Sequence, residues 1–332
     1  MLLLKILLSL SLIVSLLFCQ FVSSTNPLVY DAEFSKWLYI LNYFSNIKIY
    51  TKCITRYIPK FFTYFLLKSH EVTCDNSDNK CRYNVYVSPQ EAKVIITISI
   101  DHSFSLSMVE GMSKYRHFIK FEDMGFVNRH FAKSFYNIWP YIIFIIKEQK
   151  LLNYKIILVG HSLGGALATL TAAKLVSEGH KTSRQIFLYT YGAPRVGNPD
   201  FAKRFDEKVK YSWRIVFGKD VVPHFPKCAK IISRYFKFSP IFSVKICDRN
   251  KKKSYYHHGR EIWYPLGPKG KYRYIECLGK PKNEDRLCSD MYNYDFIDTY
   301  KYKPIHYSYF DVVAKIFGIY LKEKYINHCI IR

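Results

Sequence analysis

The stretch from Lys155 to Leu170, KIILVGHSLGGALATL, constrains the fold more than any other part of the chain. It opens with an apolar, β-branched run that is typical of a buried parallel strand. A G-x-S-x-G turn follows, and a run of small residues then begins a helix. Strand, sharp turn and helix in this order place Ser162 at the tip of the turn with its hydroxyl exposed, which is the geometry of a nucleophilic serine. The alternative is a glycine-rich turn that serves only packing.

The residues around Ser162 support the first interpretation. Gly160 and Gly164 stand where the strand and the helix would cross, so larger side chains would collide there. Leu163 begins the helix, and its backbone N–H lies at the positive end of the helix dipole. The sequence therefore predicts Leu163 as one donor to a developing oxyanion.

The motif GHSLGGALATL resembles the nucleophile elbow of the class 3 (fungal-type) lipases, an α/β-hydrolase family that acts on acylglycerols. Two later stretches resemble its secreted, nematode-like animal branch, namely YYHHGREIWYP from Tyr255 and LGKPKNEDRLCSD from Leu278. The resemblance implies an α/β-hydrolase fold with a mostly parallel central sheet, helices on both faces and a lid segment. It also implies a catalytic acid and a histidine that follow the serine in that order.

The resemblance identifies the other two members of a triad. GKDVVPHFP, which begins at Gly218, is similar to the family stretch that carries the acid, and this assigns the acid to Asp220; without the resemblance, such an aspartate would be a turn or cap residue. The family's late D-H-x-x-Y-F stretch resembles PIHYSYF from Pro304, which identifies His306 as the base, although Ile305 stands at the aspartate position. The loop GAPRVGN from Gly192 also closely resembles a family loop.

Other histidines compete for the role of base. His257 and His258 open HHGREIWYP, but in the family this motif belongs to a structural strand. His161 precedes the nucleophile and is interpreted as a filler of the elbow, with its ring pointing away. His224 is interpreted as structural.

The chain departs from the family where the second oxyanion donor is expected. The family strand ends in Phe-Arg-Gly followed by Thr or Ser, whereas the matching positions here read Ile98-Ser99-Ile100-Asp101. The resemblance therefore places Asp101 at the donor position. An ionised carboxylate only accepts hydrogen bonds and repels an oxyanion, although the backbone N–H of Asp101 could still donate.

The segment after this strand carries an apolar face. Residues 103–112, SFSLSMVEGM, fall where the family has its lid helix, and four apolar side chains follow a helical spacing: Phe104, Met108, Val109 and Met112. The spacing alone favours a lid no more than an ordinary core helix. The position relative to the elbow favours the lid.

The N-terminus predicts secretion. In residues 1–24, Lys5 is the only charge, an apolar core follows, and small residues end the segment, which is typical of a signal peptide. A membrane anchor is the alternative, but the core is short for one. We expect residues 25–332 to form a single lipase-like domain in a secreted, extracellular protein.

The cysteines predict a disulfide framework. Nine cysteines become eight once Cys19 leaves with the signal peptide, and an even number in a secreted chain indicates four disulfides, although eight cysteines allow 105 pairings. Free core thiols are the alternative; no Cys/His group has the spacing of a zinc site. Proximity in sequence pairs Cys74 with Cys81, Cys228 with Cys247, Cys277 with Cys288 and, by remainder, Cys53 with Cys329.

Several runs predict secondary structure. Residues 25–65 should contain helices that pack on the sheet, and residues 125–146 one long helix that Pro140 kinks or ends. Strands are predicted over residues 83–87, 93–100, 185–191 and 211–217.

The net charge of the chain bears on whether it binds membranes or nucleic acids. A net charge of +24 would attract the protein to an anionic membrane surface, but the lysines are scattered and most simply form a solvated surface. No nucleic-acid-binding module is present in the sequence.

The resemblance and the residues together imply a serine esterase that acts on lipid substrates at a lipid–water interface, with no metal or organic cofactor. Triacylglycerol hydrolysis, phospholipid or general ester hydrolysis, and lipid binding by a catalytically impaired relative all remain open. The sequence does not indicate an oligomeric state.

Overall fold

The computed structural model describes residues 29–46, 63–74, 78–100, 117–234, 243–270, 273–279, 282–292, 294 and 296–311. Residues 32–332 form one compact unit, and residues 1–31 form another, of which only residues 29–31 are described. Several predicted features lie outside the described residues: the signal peptide (1–24), Asp101, Phe104, Met108, Val109, Met112, Cys53 and Cys329.

The described chain alternates between strands and helices. The helices are α1 (Ala32–Asn46), α2 (Arg129–Ile146), α3 (Leu163–Ser177), α4 (Pro199–Lys208) and α5 (Phe296–His306). The strands are β1 (Phe65–Thr73), β2 (Lys80–Ser88), β3 (Lys93–Ile100), β4 (Phe118–Phe121), β5 (Gly125–Asn128), β6 (Lys155–His161), β7 (Ile186–Tyr191), β8 (Tyr211–Phe217), β9 (Lys230–Arg234), β10 (Ser243–Cys247), β11 (Arg260–Tyr264) and β12 (Ile275–Cys277).

Eight of these strands form the central sheet, in the order β1-β2-β3-β6-β7-β8-β11-β12. The five central strands of this sheet, β3, β6, β7, β8 and β11, run parallel to one another. At one side of the sheet β1 and β2, and at the other side β12, are antiparallel to their neighbours. This is the mostly parallel sheet of an α/β-hydrolase fold, as the sequence predicted. The carboxyl ends of β6, β7 and β8 consequently meet at one edge, where ligand sites of such sheets form.

Helices cover both faces of the sheet. Leu188 of β7 belongs to the apolar core that α2, α3 and α4 share. Its neighbour Tyr189 instead contacts Phe34 of α1, with ring centroids 6.0 Å apart. Successive strand residues point to opposite faces, so α1 lies on the face opposite to α3. The small residues of α3 let it pack closely, and its first thirteen residues, from Leu163 to Leu175, are all buried.

The predicted elements agree with the structure except around α2. The segment 125–146 begins with the strand β5, and the helix starts only at Arg129, where Asn128 caps it by accepting from His130 N and Phe131 N. Pro140 does not end this helix, which continues to Ile146. Pro140 lies on the exposed side of α2, so water can satisfy the carbonyl that loses its helical donor.

Three of the four predicted disulfides are confirmed. They join Cys74 to Cys81, Cys228 to Cys247 and Cys277 to Cys288. The pairing of Cys53 with Cys329 stays a prediction. Within the described ranges, no helix has the length and apolar character needed to cross a membrane.

Candidate active site

The chain turns sharply at Ser162, between β6 and α3. The residue has φ 55° and ψ −128°, a conformation that a non-glycine residue adopts only at a cost of about 1–3 kcal/mol. Its N–H donates to the carbonyl oxygen of Tyr191 in β7 over 2.8 Å. A Cβ atom at Gly160 would collide with the carbonyl of Gly164, and one at Gly164 with the carbonyl of Ile98. The two glycines therefore permit the turn for the reason that the sequence suggested.

Leu163 is the first residue of α3 and is buried. The N–H groups of a helix's first turn have no acceptor within the helix. The N–H of Leu163 thus remains at the positive end of α3, next to the Ser162 hydroxyl, in the place expected of an oxyanion donor.

Asp220 and His306 form a buried pair at the same edge of the sheet. His306 Nδ1 lies 2.9 Å from Oδ2 and 3.1 Å from Oδ1 of Asp220, and the two residues are 0% and 3% exposed. Asp220 follows the carboxyl end of β8, and His306 is the last residue of α5. The fold therefore brings together the acid and the base that the resemblance identified.

The carboxylate of Asp220 accepts from two further groups. Val222 N donates to Oδ1 over 3.0 Å, and the Tyr309 hydroxyl donates to Oδ2 over 2.7 Å. Burial by itself would raise the pKa of Asp220, but the charge interaction with His306 and the hydrogen bonds from His306, Tyr309 and Val222 outweigh it and lower the pKa. Asp220 is therefore ionised at neutral pH.

Tyr309 is a member of the site to which the sequence interpretation gave no role. Its hydroxyl accepts from Phe217 N over 3.3 Å while it donates to Asp220. Burial, with the nearby Asp220 carboxylate, raises the pKa of Tyr309 well above the usual range, so the phenol stays a donor. The sequence pointed to Tyr309 only through its position within PIHYSYF, three residues after His306.

His257 and His258 lie elsewhere and are engaged in other contacts. His257 Nε2 donates to the carbonyl of Pro223 over 2.6 Å, and His258 Nε2 lies 3.2 Å from Thr169 Oγ1. Burial lowers the pKa of His258 to about 3 and that of His257 well below the usual range. Both rings are therefore neutral and structural, and neither contacts Asp220 within the described residues.

The prediction that the His161 ring points away from the site is wrong. Its Nε2 lies 2.8 Å from the backbone carbonyl oxygen of His306. The two imidazole rings are also in contact, with centroids 4.4 Å apart and planes tilted by 31°. β6 ends at His161 and α5 ends at His306, so this hydrogen bond joins the ends of the two elements. In the described part of the chain, Ser162 Oγ itself makes no hydrogen bond, so the elbow meets the Asp–His pair through His161.

The loop that begins at Gly192 holds the pair in place. Gly192 has φ +56°, and a Cβ atom there would lie 2.6 Å from Asp220 Oδ2 and 3.0 Å from the His306 ring. Further along the loop, Arg195 makes a two-bond contact with Glu284, through Nε at 2.8 Å and Nη2 at 2.7 Å. Asn198 caps α4 by accepting from Phe201 N. Gly192, Arg195 and Asn198 of this loop thus each stabilise a different part of the structure.

Two groups of potential metal ligands occur in the described residues. They are Glu261 with Cys277 and Cys288, and Cys247 with Glu284 and Asp290. Their cysteines are joined in disulfides and offer no thiolate. Their carboxylates already pair with Arg214 in the first group and Arg195 in the second. Neither group fits a metal ion.

The chain is similar to several lipases. The family model described as Lipase (class 3) matches residues 102–230. A lipase of Caenorhabditis elegans is 34% identical over 268 residues, which cover 81% of this chain and 76% of that protein. Phospholipase A1-II 1 of Oryza sativa is 48% identical over 73 residues, which cover 22% of this chain and 19% of that protein. The solved structure of lipase II from Rhizopus niveus has a TM-score of 0.63 at 20% identity, covering 84% of this chain and 94% of that one; this last similarity concerns the fold.

The close packing of Gly192 against Asp220 and His306 can be tested by substitution. Gly179 also has a positive φ, +73°, but a Cβ atom there would meet nothing within 4 Å. We expect Gly179→Ala to lower the free energy of unfolding by about 1–2 kcal/mol, the cost of the left-handed backbone. Gly192→Ala should lower it by a further ~1–3 kcal/mol, because its methyl group also collides with Asp220 and His306. Urea denaturation of the two variants measures the difference, and equal losses would contradict the packing described here.

Proposed function

Because the chain belongs to the class 3 lipase family, we propose that it hydrolyses carboxylic esters of lipids, with Ser162 as nucleophile, His306 as base and Asp220 as acid. The observation that carries the proposal is the buried, hydrogen-bonded pair of Asp220 and His306 at the sheet edge where the chain turns at Ser162, which is half-buried. A buried aspartate that orients a histidine beside a serine in a strained elbow is the arrangement that activates a serine hydroxyl.

The roles follow from the hydrogen bonds. A carboxylate only accepts, so Asp220 fixes the His306 tautomer with hydrogen on Nδ1 and leaves the Nε2 lone pair available. His306 Nε2 takes the proton of Ser162 as Oγ attacks the ester carbonyl, and Asp220 stabilises the resulting imidazolium. His306 then gives this proton to the departing alcohol. Water, activated in the same way, hydrolyses the acyl-enzyme.

Two groups support this chemistry without reacting. The N–H of Leu163 donates to the oxyanion of the tetrahedral intermediate. Tyr309 donates to Oδ2 of Asp220 while Val222 N donates to Oδ1, and we propose Tyr309 as a positioning residue. No step in this sequence requires a metal or an organic cofactor.

We propose two candidate classes of lipid substrate. The relative from Caenorhabditis elegans is named a lipase, which favours acylglycerol esters at a lipid–water interface. The rice relative, whose matching segment is short, is named a phospholipase A1, so phospholipid ester hydrolysis is the second candidate. Activity on emulsified triacylglycerol, on phospholipid vesicles and on a soluble ester, measured side by side, separates the two and also identifies a general esterase.

We also propose that the protein is secreted. The support is the signal-peptide pattern of residues 1–24 together with the three disulfides, since disulfides persist in oxidising compartments. Residues 25–332 would then form the mature domain.

The third candidate is a lipid-binding relative with impaired catalysis. It is favoured by two departures from the family pattern, at Ile100 and Asp101, and the structure removes the argument from Ile100. Ile100 stands at the family's glycine position, where a left-handed backbone would strain a β-branched residue, but it ends β3 in extended conformation and pairs with Cys81. What remains is Asp101, whose carboxylate is a poor neighbour for an oxyanion.

Ser162→Ala tests the central assignment. Hydrolysis of a soluble ester should fall by about 10⁶-fold in kcat, because the nucleophile is absent and binding alone remains. Ser177→Ala, at the opposite end of α3, is the matched control and should keep wild-type turnover. Wild-type turnover by a folded Ser162→Ala protein would refute the proposal.

Asp101→Thr tests the oxyanion hole. Threonine restores a hydroxyl donor and removes a negative charge, and one donor is worth about 10²–10³ in kcat. We therefore expect kcat to rise by about 10–10³-fold, and Asp101→Asn, which removes only the charge, to lie between wild type and Asp101→Thr. An equal or slower rate in folded Asp101→Thr would show that Asp101 is competent, and the impaired-relative alternative would lose its main support.

A further inference from the structure

The helix that presents His306 ends at that residue, and its last carbonyls need donors. The Pro304 carbonyl accepts from Tyr307 N over 3.2 Å, and the Ile305 carbonyl from Ser308 N over 3.0 Å. The His306 carbonyl accepts from a side chain of a different element, Nε2 of His161 at 2.8 Å. A carbonyl oxygen cannot donate, so this Nε2 must carry hydrogen.

The ring of His161 makes a second contact with the same residue. It lies against the His306 imidazole with centroids 4.4 Å apart. Tyr39 of α1 and Tyr309 flank it, at centroid distances of 5.7 Å and 5.6 Å. Burial raises the pKa of both tyrosines, so the half-buried ring of His161 has two neutral phenols as neighbours.

We propose that His161 is a positioning residue, whose Nε2–H caps the carbonyl of His306 and whose ring supports the His306 imidazole. The inference rests on the proposed function, since it assigns to His161 the task of placing the base. His161 immediately precedes Ser162, so one peptide bond connects the residue that holds the base to the nucleophile.

The contact between His161 and His306 bears on how the nucleophile and the base are held close together. Proton transfer requires Ser162 Oγ and His306 Nε2 to approach within about 2.6–3.2 Å, yet the serine lies on β6–α3 and the histidine on α5. Asp220 fixes only the Nδ1 side of the ring. The short helix α5, which contains Pro304 in its last turn, gains a fixed end from the elbow itself. A displacement of about 1 Å at such a pair can cost ~10²-fold in rate.

Three substitutions separate the two contacts. His161→Gln keeps an N–H donor and removes the ring, His161→Leu has a similar size and removes both, and His161→Phe keeps a ring without a donor. We expect kcat on a soluble ester to fall by about 10–10²-fold in His161→Leu and His161→Phe, and His161→Gln to recover kcat to within roughly 5-fold of wild type, the residual loss reflecting the missing ring. KM should stay within about 2-fold in all three, because His161 orients the base rather than the substrate.

The control is His180→Phe, which alters a histidine near the far end of α3 and should keep wild-type kcat. Melting temperatures show which variants fold, and the size-matched pair of Gln and Leu decides the question if His161→Phe does not. The proposal is overturned if folded His161→Leu keeps wild-type kcat, if KM changes and kcat does not, or if His161→Gln is as slow as His161→Leu. If Ser162→Ala is inactive while His161→Leu is unaffected, this inference fails and the proposed function stands; wild-type turnover in Ser162→Ala overturns both.

Discussion

A carboxylate with no exposed surface stays ionised only if the groups around it replace the hydrogen bonds of water. Asp220 has three such donors, Val222 N, the Tyr309 hydroxyl and His306 Nδ1. Two of them come from the segment 306–309, so the same hydrogen bonds that satisfy the charge also fix where α5 ends. If this carboxylate were lost, Tyr309 and His306 would each keep a buried donor without an acceptor. The packing of the chain's last described segment and the position of the base therefore depend on one ionised group.

The parallel sheet explains why residues so distant in sequence meet there. Parallel strands end at the same edge, so the turns after β6, β7 and β8 supply Ser162, Gly192 and Asp220 side by side. The segment that carries His306 reaches this edge from the end of the described chain. Close approach then limits what each turn can contain, since a side chain at Gly192 would meet both Asp220 and His306. The site is thus a consequence of strand order and of small residues at the crossing points.

Much of this arrangement could be predicted from the sequence, because the elbow, GAPRVGN and GKDVVPHFP each combine a strand end with a recognisable turn. Contacts made through side-chain direction could not. Tyr309 was visible only as one aromatic residue among many, and His161 was predicted to point outward because a turn motif does not show which element lies beside it. Pro140 was expected to kink or end its helix, and the helix continues past it, since the sequence does not reveal that the residue faces solvent.

The most direct test of the account is covalent labelling of the serine. An alkyl fluorophosphonate reacts when an activated hydroxyl displaces fluoride and forms an O–P bond, so mass spectrometry locates the nucleophile without assuming a substrate. We expect one phosphonyl group per molecule on the peptide that contains Ser162, and labelling at least 10²-fold slower in folded His306→Gln, which lacks the base. Labelling of a different residue, or an unchanged rate in His306→Gln, would contradict the claim that the buried Asp220–His306 pair activates Ser162.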